Sequence, residues 1–177
     1  LAPPVAYRDA RTTTAVIDEV HALVSPAQLY AINGLQHLPF NTIYQLAAQR
    51  HDPLWPAIEH IALIPDLIAY LLTGVLATDY TNATTTGLID AHTRTWSTVI
   101  LDRLGLPHGL VPRVEQPGTI RGLLLPEVAH QIGLSLAVGI VVGWNSDVVA
   151  ANFAAPFTPV APSVQPGGLP GIPDLSA

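Results

Sequence analysis

Asp147 is the acidic residue whose surroundings most suggest chemistry. It follows the apolar, β-branched run of residues 140–143 and the small polar pair Asn145-Ser146, and it precedes the small residues Ala150 and Ala151. A carboxylate at the C-terminal end of a buried strand is where α/β folds place ligand chemistry, and there it could take a proton from a substrate hydroxyl. The same placement suits a helix N-cap, so the residues alone leave both readings open. Asp66, Asp79, Asp90 and Asp102 all read as caps or turn residues.

Residue types exclude much other chemistry. With no lysine in the chain, a Gly-Lys-Ser/Thr phosphate loop cannot form. With no cysteine, neither disulfides nor thiolate metal sites contribute. There is no Gly-x-Ser-x-Gly elbow of a serine hydrolase. The histidines, at positions 21, 37, 51, 60, 92, 108 and 130, form no HxxxH or HExxH pair and read as surface or capping residues. Asn82-Ala83-Thr84 is a glycosylation sequon that reads as ordinary loop.

Composition narrows the partners. Hydrophobic residues make up 49% of the 177 and charged residues 11%, a globular balance in a chain long enough for one sizeable core. The net charge is −6, and the 7 basic residues are arginines spread from Arg8 to Arg121, so no stripe tracks a nucleic-acid backbone. The longest apolar run, residues 132–144, is shorter than the ~18 to 20 residues of a membrane helix and is broken by glycines. It reads as a buried strand. No signal peptide opens the chain, and a cytoplasmic protein without nucleic-acid or membrane partners is expected. The lack of methionine, even at position 1, reads as an internal or processed start.

The elements that must position Asp147 are mostly helices. Ser25-Pro26 reads as an N-cap with the first helical residue, and Asn33-Gly34 as the end of that helix. Ile43, Leu46 and Ala47 recur at helical spacing before a break at Asp52-Pro53. A third helix is expected from Pro65-Asp66 to Gly74, with Leu67, Ile68, Leu71 and Leu72 facing inward. A fourth runs from Ser97 to Gly105 with Ile100, Leu101 and Leu104 as its apolar stripe, and a fifth from Pro126 to Gly133. Strands are expected at 119–124 and 140–143, and a loop with short extended pieces at 78–90. The fold class is therefore α/β, helix-rich with few strands. Residues 1–153 are expected to form a partial domain, and 154–177 a Pro/Gly-rich, irregular tail.

Four stretches together resemble the N-terminal domain of FGGY carbohydrate kinases. They are Tyr7-Arg8-Asp9-Ala10-Arg11-Thr12; Leu38-Pro39-Phe40-Asn41-Thr42-Ile43-Tyr44-Gln45-Leu46; the helix from Pro65-Asp66 to Gly74 followed by Thr78-Asp79-Tyr80-Thr81-Asn82-Ala83-Thr84-Thr85-Thr86-Gly87-Leu88; and Leu125-Pro126-Glu127-Val128 leading to Gly133-Leu134. The second stretch and the Tyr80 to Thr86 part of the third are similar to rhamnulokinases in particular. The resemblance implies part of a ribonuclease-H-like domain of the actin/hexokinase superfamily.

It also implies roles. Counting on from Gly133-Leu134 brings Asp147 to the family's catalytic aspartate, the general base that takes the proton of the sugar hydroxyl as it attacks the γ-phosphorus. Asn41, Ser146 and Asp147 would contact the sugar. The neighbours depart from the family pattern: Ser146 stands where His is common and Val148 where Thr is common. The family's Asp-x-Gly-x-x-Ser/Thr phosphate hairpin does not occur in the sequence. The expectation is thus a kinase fragment whose complete parent uses MgATP to phosphorylate L-rhamnulose or a related ketose. The isolated chain is expected to be inactive and to bind no cofactor or metal. The alternative is a non-catalytic remnant serving as a binding or structural module.

Overall fold

A computed structural model describes residues 4–6, 9–134 and 139–141. In chain order the elements are α1 (Thr14–Leu23), α2 (Pro26–Asn33), α3 (Thr42–Gln49), α4 (Ile64–Thr73), β1 (Thr78–Asp79), α5 (Tyr80–Ala83), β2 (Ile89–Asp90), β3 (Thr95–Trp96), α6 (Thr98–Leu104), β4 (Val114–Glu115), β5 (Ile120–Leu123), α7 (Pro126–Ile132) and β6 (Gly139–Val141). The strands form three pairs: β1 with β4 in parallel, β2 with β3 and β5 with β6 antiparallel. This is the helix-rich α/β arrangement with few strands that the sequence suggests.

Local chemistry sets the helix ends. Ser25 and Gln28 form a reciprocal capping box at α2, and Gly34 closes that helix at φ 63°. Ser97 accepts from the Ile100 amide at the start of α6. Helix α1 escapes the sequence reading because its cap, Thr13, sits inside a run of three threonines. It packs Val20 and Val24 against Ile43, Leu46, Ile100, Leu101 and Leu104, which with Leu88, Leu106 and Leu110 make the core. Each such side chain contributes roughly 1.5–3 kcal/mol by leaving water.

Several expectations change. In α4 the expected inward face is met only in part, with Leu67 and Leu72 half-buried. Asp66, Ala69 and Thr73 are buried, while Ile68 and Leu71 stay 53% and 50% exposed. The rotation follows from Asp66, whose carboxylate is held by groups on β1 and β5 (below). The 78–90 segment is more helical than expected: after β1 come α5 and a 3-10 turn at Thr84–Thr86. Thr84, Thr85 and Thr86 each donate their hydroxyl to the carbonyl three residues back, which favours turns over strands. Ile132 ends α7 before Gly133 instead of opening a strand. The strand expected at 140–143 starts one residue earlier, as β6 against β5, with Ile140 half-buried. Among the described residues no helix is long and apolar enough to cross a membrane.

Candidate functional site

Asn41 stands at the N-cap of α3 with 6% of its surface exposed. Its Oδ1 accepts from the Leu38 amide at 2.9 Å, and its Nδ2 donates to the Thr85 carbonyl at 3.0 Å. Asn33 makes a parallel clamp, donating to the Gly87 carbonyl at 3.0 Å and accepting from the Leu35 amide at 2.8 Å. Two carboxamides thus tie residues 33–41 to the 85–87 turn. Gly87 permits the approach: its φ is +79°, and a Cβ there would sit 3.0 Å from Ile43. A cavity of about 320 Å³ lies here, with Asn33, His37, Asn41, Tyr44 and Gly87 in its wall. Asn41→Ala removes the hydrogen bonds to the Leu38 amide and the Thr85 carbonyl, at about 0.5–1.5 kcal/mol each. A lower urea midpoint at unchanged slope is the expected result.

Beside this cavity, two histidines meet one phenol. His21 Nε2 lies 3.0 Å from Tyr44 Oη, and His37 Nδ1 makes a second, short hydrogen bond to the same oxygen. The three rings are mutually edge-on, with centroids 4.7 to 5.7 Å apart. Burial pushes the Tyr44 hydroxyl up to about 12. Burial, and then the neighbouring His37, hold His21 below the ordinary histidine value against the opposing pull of Asp18. His37 is exposed, as read from sequence, and His21 half-buried, and both join a polar cluster built around a buried phenol. Their separations from Tyr44, 23 and 7 residues, match no motif that could have revealed them.

The second constellation surrounds Arg121, whose side chain is 0% exposed. Its Nη1 donates to Asp66 Oδ1 at 3.0 Å and its Nε to Glu115 Oε2 at 2.9 Å. Glu115 also pairs with Arg113 at 2.6 Å. Asp66 accepts the Asp79 amide at 3.1 Å, and Asp79 caps α5 by accepting from the Asn82 amide. Burial raises the Asp66 carboxyl above its ordinary value, and the Asp79 amide and Arg121 offset that only in part. Asp66 is therefore a core ion-pair residue, not a cap. The sequence carried one unused signal: a lone arginine inside the 119–124 strand pattern needs a buried acid.

This cluster pins β5 to α4 and to the turn after β1, and β5 in turn carries β6. Beside it lies a cavity of about 470 Å³ with Asp66, Asp79, Thr81, Asn82 and Ile140 in its wall. Ser146 and Asp147 follow β6 in the sequence and lie outside the described residues.

The MgATP implied by the resemblance finds no holder among the described residues. No group of three histidine or acidic side chains there could hold a metal ion. The arginines are engaged elsewhere: Arg11 with Asp9 and Gln49, Arg50 with Glu19, Arg113 and Arg121 with Glu115, Arg103 with Gln28, and Arg94 over the Tyr80 ring. Among the described residues no cationic cradle for a triphosphate is left.

Comparison with known proteins gives a consistent picture. The family model described as the FGGY family of carbohydrate kinases, N-terminal domain, matches residues 1–154. The chain is 37% identical over 159 residues to a rhamnulokinase of Mannheimia succiniciproducens, covering 88% of this chain and 30% of that protein. It is 42% identical over 153 residues to a rhamnulokinase of Enterococcus faecalis, covering 86% and 30%. The chain thus spans about a third of the length of these relatives. Among solved structures, a gluconate kinase from Lactobacillus acidophilus superposes with a TM-score of 0.73 at 25% identity, covering 81% of this chain and 29% of that one. A xylulose kinase from Rhodospirillum rubrum gives 0.73 at 24% identity, covering 88% and 32%, which speaks to the fold alone.

Proposed function

Because the chain belongs to the FGGY family of carbohydrate kinases, we propose that it forms the sugar-side part of a kinase acting in the cytoplasm on L-rhamnulose or a related ketose. One contact carries this reading. The two stretches that look most like rhamnulokinases, residues 38–46 and 80–86, are locked together by the Asn41 carboxamide on the Thr85 carbonyl at 3.0 Å. Identity of 33% to 42% with rhamnulokinases over most of the chain supports the choice of sugar.

In this reading Asp147 takes the proton from the primary hydroxyl of the ketose, with Ser146 beside it on the sugar. Asn41 positions, because both ends of its carboxamide are already committed to backbone groups. ATP with Mg²⁺ would supply the phosphoryl group in the complete enzyme, held by residues other than those described here. Transfer depends chiefly on positioning, and loss of positioning alone can cost about 7–11 kcal/mol of barrier. The 177 residues alone are therefore expected to release no ADP from ATP in the presence of L-rhamnulose. A coupled ADP assay on the purified chain checks this, and measurable sugar-dependent turnover would overturn the division of labour.

A further inference from the structure

We propose that His21, Tyr44 and His37 form a proton-sensitive clasp that fixes the 35–41 loop, and with it Asn41, to α1 and α3. His21 lies on α1, Tyr44 on α3 and His37 in the loop that leads to Asn41. The Tyr44 hydroxyl joins all three.

The clasp works by counting protons. A phenol has one hydrogen to give. With both rings neutral, Tyr44 donates it to a bare nitrogen of one imidazole and accepts the N–H of the other. One proton added to either ring is tolerated, since the charged ring donates to the phenol oxygen and the phenol donates to the neutral ring. A second proton makes both rings donors. The phenol hydrogen then has no acceptor among the described residues, and two cations face each other with ring centroids 4.7 Å apart.

The surrounding charges do not relieve this. On α1, Asp18 acts on His21 in the favourable direction, but its pull is smaller than burial and His37 combined. Glu19 is engaged with Arg50 and His51. On α6, which packs on α1, Asp102 pairs with His108 and Arg103 with Gln28. From α2, the cavity wall beside His37 is formed by Pro26, Leu29, Tyr30 and Asn33 and carries no charge. Because His21 takes its proton at lower pH with the clasp closed than with it open, the clasp is favoured as pH rises. It loosens as pH falls below about 6.5.

The test is amide hydrogen exchange on the 177-residue chain at pH 7.5 and pH 5.0, corrected for intrinsic rates. The reporters are the Leu35 and Leu38 amides, bonded to Asn33 and Asn41, with the Leu101 amide in α6 as the core control. Protection at Leu35 and Leu38 should fall about tenfold at the lower pH, because protons that the closed clasp binds weakly favour the open one. Leu101 should hold. His37→Gln, a change at an exposed residue, keeps a hydrogen-bonding side chain that cannot titrate, so the pH response should shrink to the part that burial of His21 supplies. His21→Gln removes that part as well and should abolish the response. An unchanged response in His37→Gln, no response in the wild-type chain, or an equal loss at Leu101 would each overturn the clasp.

Discussion

Arg121→Leu is expected to lower the stability of the chain by about 3–5 kcal/mol, the usual cost of removing one partner from a buried ion pair. For a domain whose total stability is about 5–15 kcal/mol, that loss is a large share of the margin that keeps it folded. The cause is specific. Arg121 has no exposed side-chain surface, and it pairs with both Asp66, 1% exposed, and Glu115, 5% exposed. Glu115 keeps Arg113 as a partner, and Asp66 can take up a proton because burial already favours its neutral form. Those reliefs set the loss nearer the lower end. Replacing the pair together, as Arg121→Leu with Asp66→Leu, should recover much of the stability, since a buried ion pair contributes little beyond a well-packed apolar pair. Urea denaturation followed by circular dichroism measures both. A loss below about 1 kcal/mol for the single variant, in the range of an exposed pair, would show that the cluster does not anchor α4 to β5.

Asp147→Asn should have the largest effect on activity. Removing a general base typically costs about 10²–10⁴ in rate, and the amide keeps the shape of the carboxylate while losing its capacity for a proton. The expected pattern is a kcat lower by that factor with KM for the ketose little changed, because the residue acts on the reacting hydroxyl. The measurement needs the phosphate-binding part, so it belongs in a chimera in which this chain replaces the matching segment of the Enterococcus faecalis rhamnulokinase. A near-normal kcat would leave Asp147 as a helix cap. Ser146, standing where the family commonly has His, should tolerate substitution by His in the same chimera with unchanged or increased kcat.

What could be read in the sequence depended on whether a feature is local. The Ser25-Pro26 start of α2, the stop at Gly34, the stripe of Ile100, Leu101 and Leu104, and the Pro126 start of α7 each sit within a few residues of their partners. Helix α4 was legible in extent but not in rotation. What turns Asp66 inward is an arginine 55 positions away. The threonines at 84–86 read as loop with extended pieces because their β-branching is visible in sequence, whereas their back-bonding to carbonyls requires the turn to exist. The roles of Asn41, Ser146 and Asp147 came from family resemblance, and only Asn41 lies among the described residues. Its clamp on Thr85 spans 44 positions, which no local pattern encodes.

The central claim is that this chain carries the sugar side of a rhamnulose kinase, and the same chimera tests it most directly. Initial rates of ADP release would be measured with L-rhamnulose, D-xylulose, gluconate and glycerol, beside the intact Enterococcus faecalis enzyme. The account predicts turnover with kcat/KM highest for L-rhamnulose. A chimera that folds, as judged by its thermal transition, yet transfers no phosphate to L-rhamnulose or prefers another of these sugars, would contradict it.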